Sequence, residues 1–370
     1  MTSRNVQLPM LGEPPQTERP TSPPFVRPKT PRKQRPLGKS TPIVWLVELS
    51  FGCNLACAHC VAEQIKKSEN VLMDEETWRR TFEIINEVSP FARIDLAGTV
   101  GEPTLNPRLL DFLRIARELA PNVQIQITTN GTRILAREYK MKDLLDAGAN
   151  ILYIDQYGAH GRFEKMAHES GYPWYQYYDD EADKTPGALT PWQYWGPDLK
   201  MIVLMDEPST WPASRRRANI LGSWLGTIDY KRAAAGGFPE IAPLREPLKR
   251  RCNQPFQYVT VSATGEYLLC CQDGLQKTRG QFGSVHSGVE GFREFWFGRD
   301  MQWIRGRLRE KDRASVKECS KCSITFSRCD YKLWDDEALN RVWQDGQWVS
   351  LEPTLTSEES TEQGTLELSS

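Results

Sequence analysis

One short segment carries three of the nine cysteines of the chain: Ser50-Phe51-Gly52-Cys53-Asn54-Leu55-Ala56-Cys57-Ala58-His59-Cys60. These cysteines follow the spacing C-x3-C-x2-C. Residues 43–49 come directly before the segment and are rich in apolar and β-branched side chains, so they are predicted to form a strand. The thiols then lie on a loop at the carboxyl end of a strand, where α/β folds place their functional groups. Three such thiolates can hold three irons of a 4Fe–4S cluster and leave the fourth iron open.

Two other interpretations use the same residues. A zinc knuckle would take Cys53, Cys57, Cys60 and His59 as its four ligands. Alternatively, the cysteines would be buried core residues without a metal. The spacing favours the iron–sulfur interpretation, and both alternatives stay open at this point.

The C-x3-C-x2-C spacing resembles the signature of the radical SAM family. In that family the open iron is chelated by S-adenosylmethionine (SAM). One electron from an external reductant of the flavodoxin or ferredoxin type, passed through the cluster, splits SAM. The resulting 5′-deoxyadenosyl radical removes a hydrogen atom from the substrate. The family usually has an aromatic residue before the third cysteine, so His59 is a departure at a position expected to contact the cofactor.

A second motif follows the next predicted strand, residues 93–97. It runs Gly98-Thr99-Val100-Gly101-Glu102-Pro103-Thr104. The motif resembles the family's Gly-Gly-Glu-Pro loop, with Val100 in place of the first glycine. The resemblance implies that Gly101, Glu102 and Pro103 contact SAM, since a glycine lets the backbone approach a ligand closely.

Polar residues at two further strand ends are candidate SAM contacts. Thr128 and Asn130 follow a predicted strand over 123–127, and either side chain can instead cap a turn. Asp155 ends the strand predicted from residue 151. The family often has Ser-x-Asp there, and Tyr153 replaces the serine in this chain.

Predicted strands and helices alternate from residue 43 to about 225, which indicates an α/β fold with a parallel sheet. The resemblance implies a partial (β/α)6 radical SAM barrel over residues 41–245. Residues 157–198 are rich in aromatic side chains and are expected to form an insertion that interrupts this alternation.

A second cysteine set follows in residues 246–335. Cys252, Gly265 and Cys270 follow the order C-x12-G-x4-C around a predicted hairpin, and Cys319 and Cys322 form a C-x2-C pair. This order resembles the SPASM and twitch extensions of radical SAM enzymes, which carry auxiliary 4Fe–4S clusters. It implies a small twitch-like iron–sulfur domain at the C-terminal end.

The number of cysteines limits how many auxiliary clusters the region can hold. Two fully ligated clusters need four cysteines each. The region has six: Cys252, Cys270, Cys271, Cys319, Cys322 and Cys329. One auxiliary cluster is therefore expected, with Cys252, Cys270, Cys319 and Cys322 as ligands, and a structural zinc in the same four cysteines is the alternative. Cys329 is a candidate hydrogen-atom donor, as in related radical SAM epimerases, with a cluster ligand or an inert thiol as alternatives.

The two ends of the chain are predicted to be disordered. Residues 1–40 are rich in proline, and their segment 27–35 is basic without an acidic residue, which makes nucleic acid a candidate partner. Arg215–Arg217 could also meet phosphates. Residues 336–370 form a C-terminal extension that becomes acidic and disordered from about residue 353.

Composition and charge set the remaining limits. The net charge is −1, so no overall field points to a partner. The sequence has neither an 18-residue apolar run nor a signal peptide, and its cysteines are grouped by motif, so a cytoplasmic protein without membrane contact is expected.

The expected activity is abstraction of a hydrogen atom that rearranges or oxidises a C–H site. Three features favour a nucleic-acid base, or an amino-acid adduct on a hypermodified DNA base, as the substrate. They are the basic arm (residues 27–35), Arg215–Arg217 and the aromatic insertion (residues 157–198). A sugar or aminocyclitol, a peptide, and a non-catalytic iron–sulfur or zinc protein are the alternatives.

Overall fold

The computed structural model describes residues 44–65, 70–97, 99–156, 159–177, 198–206, 223–239, 241–252, 254–324, 341–344 and 347–350. Several features singled out in the sequence lie outside these residues: the basic arm, Gly98, residues 178–197 of the aromatic insertion, Arg215–Arg217, Cys329 and the acidic tail. Among the described residues, no helix is long and apolar enough to cross a lipid bilayer.

The described chain alternates strands and helices. The strands are β1 (Val44–Val47), β2 (Ser50–Phe51), β3 (Val71–Leu72), β4 (Arg93–Asp95), β5 (Gln124–Thr129), β6 (Ile151–Gln156), β7 (Trp174–Tyr177), β8 (Met201–Asp206), β9 (Tyr258–Val261), β10 (Tyr267–Leu268), β11 (Arg341–Gln344) and β12 (Gln347–Ser350). The helices are α1 (Glu75–Val88), α2 (Leu109–Leu119), α3 (Thr132–Leu135), α4 (Met141–Ala147), α5 (His160–Glu169), α6 (Tyr230–Ala235), α7 (Gln254–Gln257), α8 (Gly288–Phe297) and α9 (Arg299–Arg309).

One eight-stranded sheet organises the molecule, in the order β10-β9-β1-β4-β5-β6-β8-β7. All neighbours in this sheet are parallel except β9 and β10, which form an antiparallel hairpin. Among the described residues, hydrogen bonds do not close the sheet into a complete barrel, and β10 and β7 are its edges. The prediction of an α/β fold built on an open, mostly parallel sheet is confirmed.

The two faces of the sheet differ in polarity at β5, where apolar and polar side chains alternate along the strand. Ile125 and Ile127 are fully buried in the main core, together with helix residues such as Phe82 and Phe112. The alternate residues Gln126 and Thr128 lie on the other face, because successive side chains of a strand point to opposite sides. On this polar face Gln126 Nε2 donates to Asp95 Oδ2 of β4 and to Thr128 Oγ1. The helices therefore cover an apolar face. The opposite face carries polar side chains on β4 and β5 and a second buried apolar cluster on β6 and β8, which includes Ile151, Tyr153 and Val203.

Three further segments complete the described helices and strands. Residues 133–147 contain two helices, α3 and α4, because Arg137 lies between them with a left-handed φ of 62°. Part of the expected insertion continues the alternation, since α5 and β7 form there and β7 pairs in parallel with β8. The stretch around 295–308 is two helices, α8 and α9, which meet at Gly298.

The C-terminal hairpin joins the sheet directly. Strand β9 pairs in parallel with β1 from Val44↔Tyr258 to Val47↔Val261. Gly265, with a φ of 88°, forms the turn that the sequence predicts between β9 and β10. Both cysteine sets are therefore attached to neighbouring strands of one sheet.

Candidate active site with two cysteine centres

The first cysteine set lies on the loop between β2 and the 3-10 turn Ala62–Gln64, as predicted. Cys53, Cys57 and Cys60 are half-buried. Backbone amides reach two of the sulfurs, since Leu55 N donates to Cys53 Sγ at 3.4 Å and Ala62 N donates to Cys60 Sγ at 3.4 Å. Hydrogen bonds of this kind tune the reduction potential of a cluster bound to such thiolates.

The three sulfurs are close enough to influence one another. Burial, with a further contribution from Cys57 and Cys53, raises the pKa of Cys60 to about 12. Such thiols become thiolates when bound cations compensate their charge, which suits a cluster that gives one iron to each sulfur. Among the described residues, no three His, Cys, Asp or Glu side chains are grouped as they would be around a single metal ion. Three thiols on one loop are the donors that three irons of a 4Fe–4S cluster take.

His59, a predicted cofactor contact, packs its ring against Phe238 with centroids 4.8 Å apart. Burial lowers the pKa of His59 to about 4, so the imidazole is neutral. Its Nδ1 atom has no hydrogen-bond partner among the described residues. A contact from His59 to the cofactor stays a prediction.

The Gly-Glu-Pro loop is joined to the cysteine loop through its backbone. Ser50 Oγ donates to Glu102 O at 2.8 Å, and Glu102 N donates to Gly52 O at 3.0 Å. A Cβ atom on Gly101 would overlap the carbonyl oxygen of Ser50. The observed close approach of Gly101 is therefore to the cysteine loop, whereas the sequence suggested approach to a ligand.

The Glu102 carboxylate is surrounded by donors of the protein itself. It accepts from Thr104 N at 3.0 Å, from Thr129 Oγ1 at 2.6 Å and from Asn130 N at 2.8 Å. Pro103 begins the 3-10 turn Pro103–Leu105 that follows. Glu102 thus anchors this loop to the end of β5, and contacts from Glu102 or Pro103 to SAM stay predictions.

Of the two polar residues at the end of β5, Asn130 reaches the cysteine loop. Asn130 Nδ2 donates to Cys53 Sγ at 3.5 Å and to Asn54 Oδ1 at 2.9 Å, and Asn130 Oδ1 also accepts from Thr132 N. Thr128 donates to Asp95 Oδ1 at 3.0 Å on the polar face. Asn130 therefore both caps a turn and contacts a cysteine ligand.

Asp155 lies in β6 near these groups. Burial, followed by the charges of Glu102 and Asp95, raises the pKa of Asp155 to about 7. No donor in the described part of the chain hydrogen-bonds its carboxyl group. Asp95 was not identified from the sequence, because a single polar residue in a predicted strand has no local mark of function.

Glu48 is a second residue that sequence reasoning missed. It is fully buried, and burial raises its pKa to about 7. Its carboxyl group accepts from Thr99 Oγ1 at 2.7 Å and from Gln276 Nε2 at 2.6 Å. Glu48 thus connects the Gly-Glu-Pro loop with the loop that follows Cys270 and Cys271.

The second cysteine set is brought together by β10, the segment before α7 and the turn after α9. Cys270, Cys319 and Cys322 are buried in the main core, and Cys252 packs against it. Burial, followed by the charges of Cys271, Cys319, Cys322 and Cys252, raises the pKa of Cys270. The four predicted ligands are therefore neighbours, and Cys271 is close to them as well. This all-sulfur donor set suits an iron–sulfur cluster.

Arg313 supports this second site and was also missed. Its side chain is buried, and its guanidinium donates to four backbone carbonyls, those of Arg250, Arg251, Cys322 and Ile324. It therefore holds the segment of Cys252 against the segment of Cys319 and Cys322.

Comparisons with known proteins agree with this arrangement. Residues 47–179 match the model of the radical SAM superfamily, and residues 252–323 match the SPASM model of an iron–sulfur cluster-binding domain. A 7,8-dihydro-6-hydroxymethylpterin dimethyltransferase of Methanocaldococcus jannaschii is 31% identical over 120 residues, which cover 32% of this chain and 23% of the relative. A mycofactocin maturase MftC of Mycobacterium ulcerans is 32% identical over 99 residues, which cover 26% of this chain and 25% of the relative.

Among solved structures, BtrN in complex with AdoMet and 2-DOIA is similar to this chain with a TM-score of 0.53. The sequence identity is 20%, and the match covers 76% of this chain and 93% of BtrN. This similarity supports the fold.

The fold and the two sites define an iron–sulfur protein with one cysteine centre in an α/β domain and another in a C-terminal domain. Residues 47–179 carry a radical SAM domain, and residues 252–323 carry a SPASM iron–sulfur cluster-binding domain. Its cofactors are accordingly a 4Fe–4S cluster with SAM and an auxiliary cluster.

Proposed function

We propose that this protein cleaves SAM reductively and uses the product to abstract a hydrogen atom from a substrate C–H bond, which is then rearranged or oxidised. The observation that carries the proposal is the loop of Cys53, Cys57 and Cys60, joined by Ser50 and Gly52 to the Gly-Glu-Pro loop. The bound cluster, reduced by an external one-electron donor such as a flavodoxin or ferredoxin, supplies the electron that splits SAM. The chain's own residues hold this site in place.

Each residue near the first site has a defined task in this proposal. The three cysteines hold the cluster, and Asn130 donates to the sulfur of Cys53. Asp155, which lacks a hydrogen-bond donor from the described residues, is available to accept from hydroxyl groups of SAM.

At the second site we assign one auxiliary cluster to Cys252, Cys270, Cys319 and Cys322, the arrangement of the twitch form. Cys271 is close to these residues, and its Sγ donates to Gln254 Oε1 at 3.5 Å. That hydrogen bond supports its assignment as the spare thiol.

The substrate is proposed to carry an amino group. Asp95 puts a carboxyl group on the polar face, which favours a cationic or donor-rich substrate over an anionic group. An amino-acid adduct on a hypermodified DNA base has such an amine. An aminocyclitol has one too and is the second candidate. The basic arm and Arg215–Arg217, which favour the nucleic-acid candidate, lie outside the described residues.

The first test measures iron and SAM cleavage. Protein reconstituted anaerobically should bind about eight irons, as expected for two cubane clusters. The triple variant C53A/C57A/C60A should lose about half of this iron and all formation of 5′-deoxyadenosine after reduction. Stoichiometric zinc in place of iron, or 5′-deoxyadenosine formation by the triple variant, would contradict the proposal.

The second test identifies the substrate. Deuterated aminoacyl-thymine nucleotides, aminocyclitols and short peptides are each incubated with SAM and reductant. The correct class should transfer deuterium into 5′-deoxyadenosine. Deletion of residues 1–40 should weaken DNA binding and leave SAM cleavage unchanged if the substrate is nucleic acid. Deuterium transfer from an aminocyclitol or a peptide would replace the nucleic-acid assignment.

Cys329 is proposed to return a hydrogen atom to the substrate radical. The variant C329A should then keep its iron and form 5′-deoxyadenosine but yield no product. Loss of iron would identify Cys329 as a cluster ligand, and unchanged turnover would identify it as an inert thiol.

A further inference from the structure

A short segment, Ser223–Thr227, lies between the two cysteine centres. Three successive residues in it, Trp224, Leu225 and Gly226, have φ angles of 49°, 53° and 76°. A left-handed backbone is unfavourable for residues other than glycine, and it persists only where surrounding contacts enforce it. The contacts of this segment therefore explain why it keeps its conformation.

One set of contacts leads to the auxiliary centre. Ser223 is 1% exposed. Its backbone N donates to Ser323 Oγ at 2.9 Å, and its Oγ donates to Lys321 O at 3.0 Å. Ser323 N in turn donates to Ser223 Oγ at 2.9 Å. Because Lys321 and Ser323 flank Cys322, these bonds hold the segment to a predicted ligand of the auxiliary cluster.

The other set of contacts leads to the SAM-cluster loop. The indole Nε1 of Trp224 donates to His59 O at 3.2 Å, and His59 lies between Cys57 and Cys60. A second packing contact reinforces this one. A Cβ atom on Gly274 would lie 2.8 Å from the ring of Trp224 and 2.7 Å from the side chain of Val61. The loop after Cys271 thus packs against Trp224 and against the residue that follows Cys60.

Neighbouring side chains of the segment belong to two different apolar clusters. Trp224 packs in a small cluster that includes Cys53 and Cys60. Leu225 belongs to the main core, which includes Cys319 and Cys322. The left-handed turn therefore places consecutive side chains in two different apolar clusters.

We infer that Ser223–Leu225 is a strut that fixes the SAM-cluster loop relative to the auxiliary-cluster site, with Trp224 as its positioning residue. A change at either end of the strut is transmitted to the other end, since the segment is hydrogen-bonded to both cysteine motifs. The inference rests on the two centres holding clusters and is independent of the substrate.

The test uses reconstituted full-length protein and two conservative variants. W224F removes the indole N–H and keeps an aromatic ring, and S223A removes the hydroxyl that bonds Lys321 and Ser323. Electron paramagnetic resonance spectra of the reduced protein are recorded with and without SAM, whose addition identifies the signal of the first cluster. W303F changes a tryptophan that is 47% exposed and serves as one control. S320A is the other, because Ser320 Oγ donates to Lys317 O of the same turn.

Each variant should shift the g values of both cluster signals while total iron stays near the wild-type content, and both controls should match the wild type. Loss of iron from both centres in either variant, with unchanged circular dichroism, also supports the strut. The inference is overturned if W224F alters only the SAM-cluster signal and S223A only the auxiliary signal, or if neither variant alters any signal. Iron content reports separately on whether the clusters are present. Failure of the proposed function can therefore be distinguished from failure of the inference about Ser223–Leu225.

Discussion

Gly101 has no side chain, and this allows two loops of the first site to lie against each other. The Gly-Glu-Pro loop approaches the cysteine loop so closely that a Cβ atom at Gly101 would overlap Ser50 O. The same approach brings Glu102 O to the hydroxyl of Ser50. The glycine is thus required by the packing of two backbone segments.

We expect G101A to separate these two loops. Overpacking against backbone costs about 1–3 kcal/mol, and the cysteine loop should lose its support. The variant should therefore bind SAM about 5- to 150-fold more weakly, since each 1.4 kcal/mol corresponds to a factor of ten. Equilibrium binding of SAM to the anaerobic protein measures this loss. G306A is the matched control, because a Cβ atom at Gly306 meets nothing within 4 Å, and equal SAM affinity in both variants would contradict the explanation.

Asp155 should make stability depend on pH. Burial, then Glu102 and Asp95, raise the pKa of Asp155 from its ordinary value of 3.8 to about 7. Between these values the folded protein binds more protons than the unfolded chain, so the contribution of neutral Asp155 to stability is full at low pH and is lost as the pH rises toward about 7.

D155N removes this dependence, because an amide stays neutral. Its melting temperature, measured without SAM, should exceed that of the wild type by more at about pH 8 than at about pH 5.5. D198N, which changes an exposed aspartate, is the control and should show no such trend. An equal difference for D155N at both pH values would show that Asp155 is not buried as a neutral group.

At the scale of elements, the auxiliary site depends on segments that have no regular structure of their own. The segment before α7 carries Cys252, and the turn after α9 carries Cys319 and Cys322. Arg313 connects them through four backbone carbonyls. A planar guanidinium can serve several acceptors at once in a fixed geometry, which an ammonium group cannot.

R313K should therefore loosen the auxiliary site although the charge is kept. Unpaired buried carbonyls cost about 1–3 kcal/mol each, and about half of the iron should be lost. The SAM-cluster signal should remain in the spectrum of the reduced variant. Iron analysis after anaerobic reconstitution tests this, with R299K at an exposed arginine as the control. A full iron content in R313K would show that the auxiliary site binds its cluster without the hydrogen bonds of the Arg313 guanidinium.

At the scale of the whole molecule, the two cysteine centres share one sheet. Strand β9 of the C-terminal region pairs with β1, so β1 lies inside the sheet between β9 and β4. Without β9, β1 would become an open edge with unpaired backbone groups. Glu48 would also lose its bond from Gln276.

We therefore expect residues 41–245 not to fold as an independent domain, although the sequence suggests a boundary there. The fragment should be sensitive to limited proteolysis and should lack a cooperative melting transition. Residues 41–324 keep β9, β10 and the auxiliary site, and they should resist proteolysis like the full chain. A cooperative transition for fragment 41–245 would show that the two regions fold separately.

Local pattern was enough to predict much of this protein. The C-x3-C-x2-C spacing places three thiols on one loop whatever the rest of the chain does, because residues a few positions apart cannot separate far. Alternating apolar residues likewise predict β5, a continuous apolar run predicts β6, and the order of strands and helices predicts a parallel sheet. The likeness of both cysteine sets to a known family followed from the same short motifs.

The tertiary structure decided which distant groups meet. Glu48 and Gln276 are 228 positions apart, and Trp224 and His59 are 165 positions apart. No local pattern marks such pairs, because the sequence does not show whether a glutamate is buried or whether a tryptophan has a left-handed backbone conformation. Arg313 also looks like any surface arginine until folding surrounds it with carbonyls. Short spacing thus identified the candidate ligands of the first centre. The meeting of Cys252, Cys270, Cys319 and Cys322, and the supports of both centres, depend on long-range packing, which only the folded chain specifies.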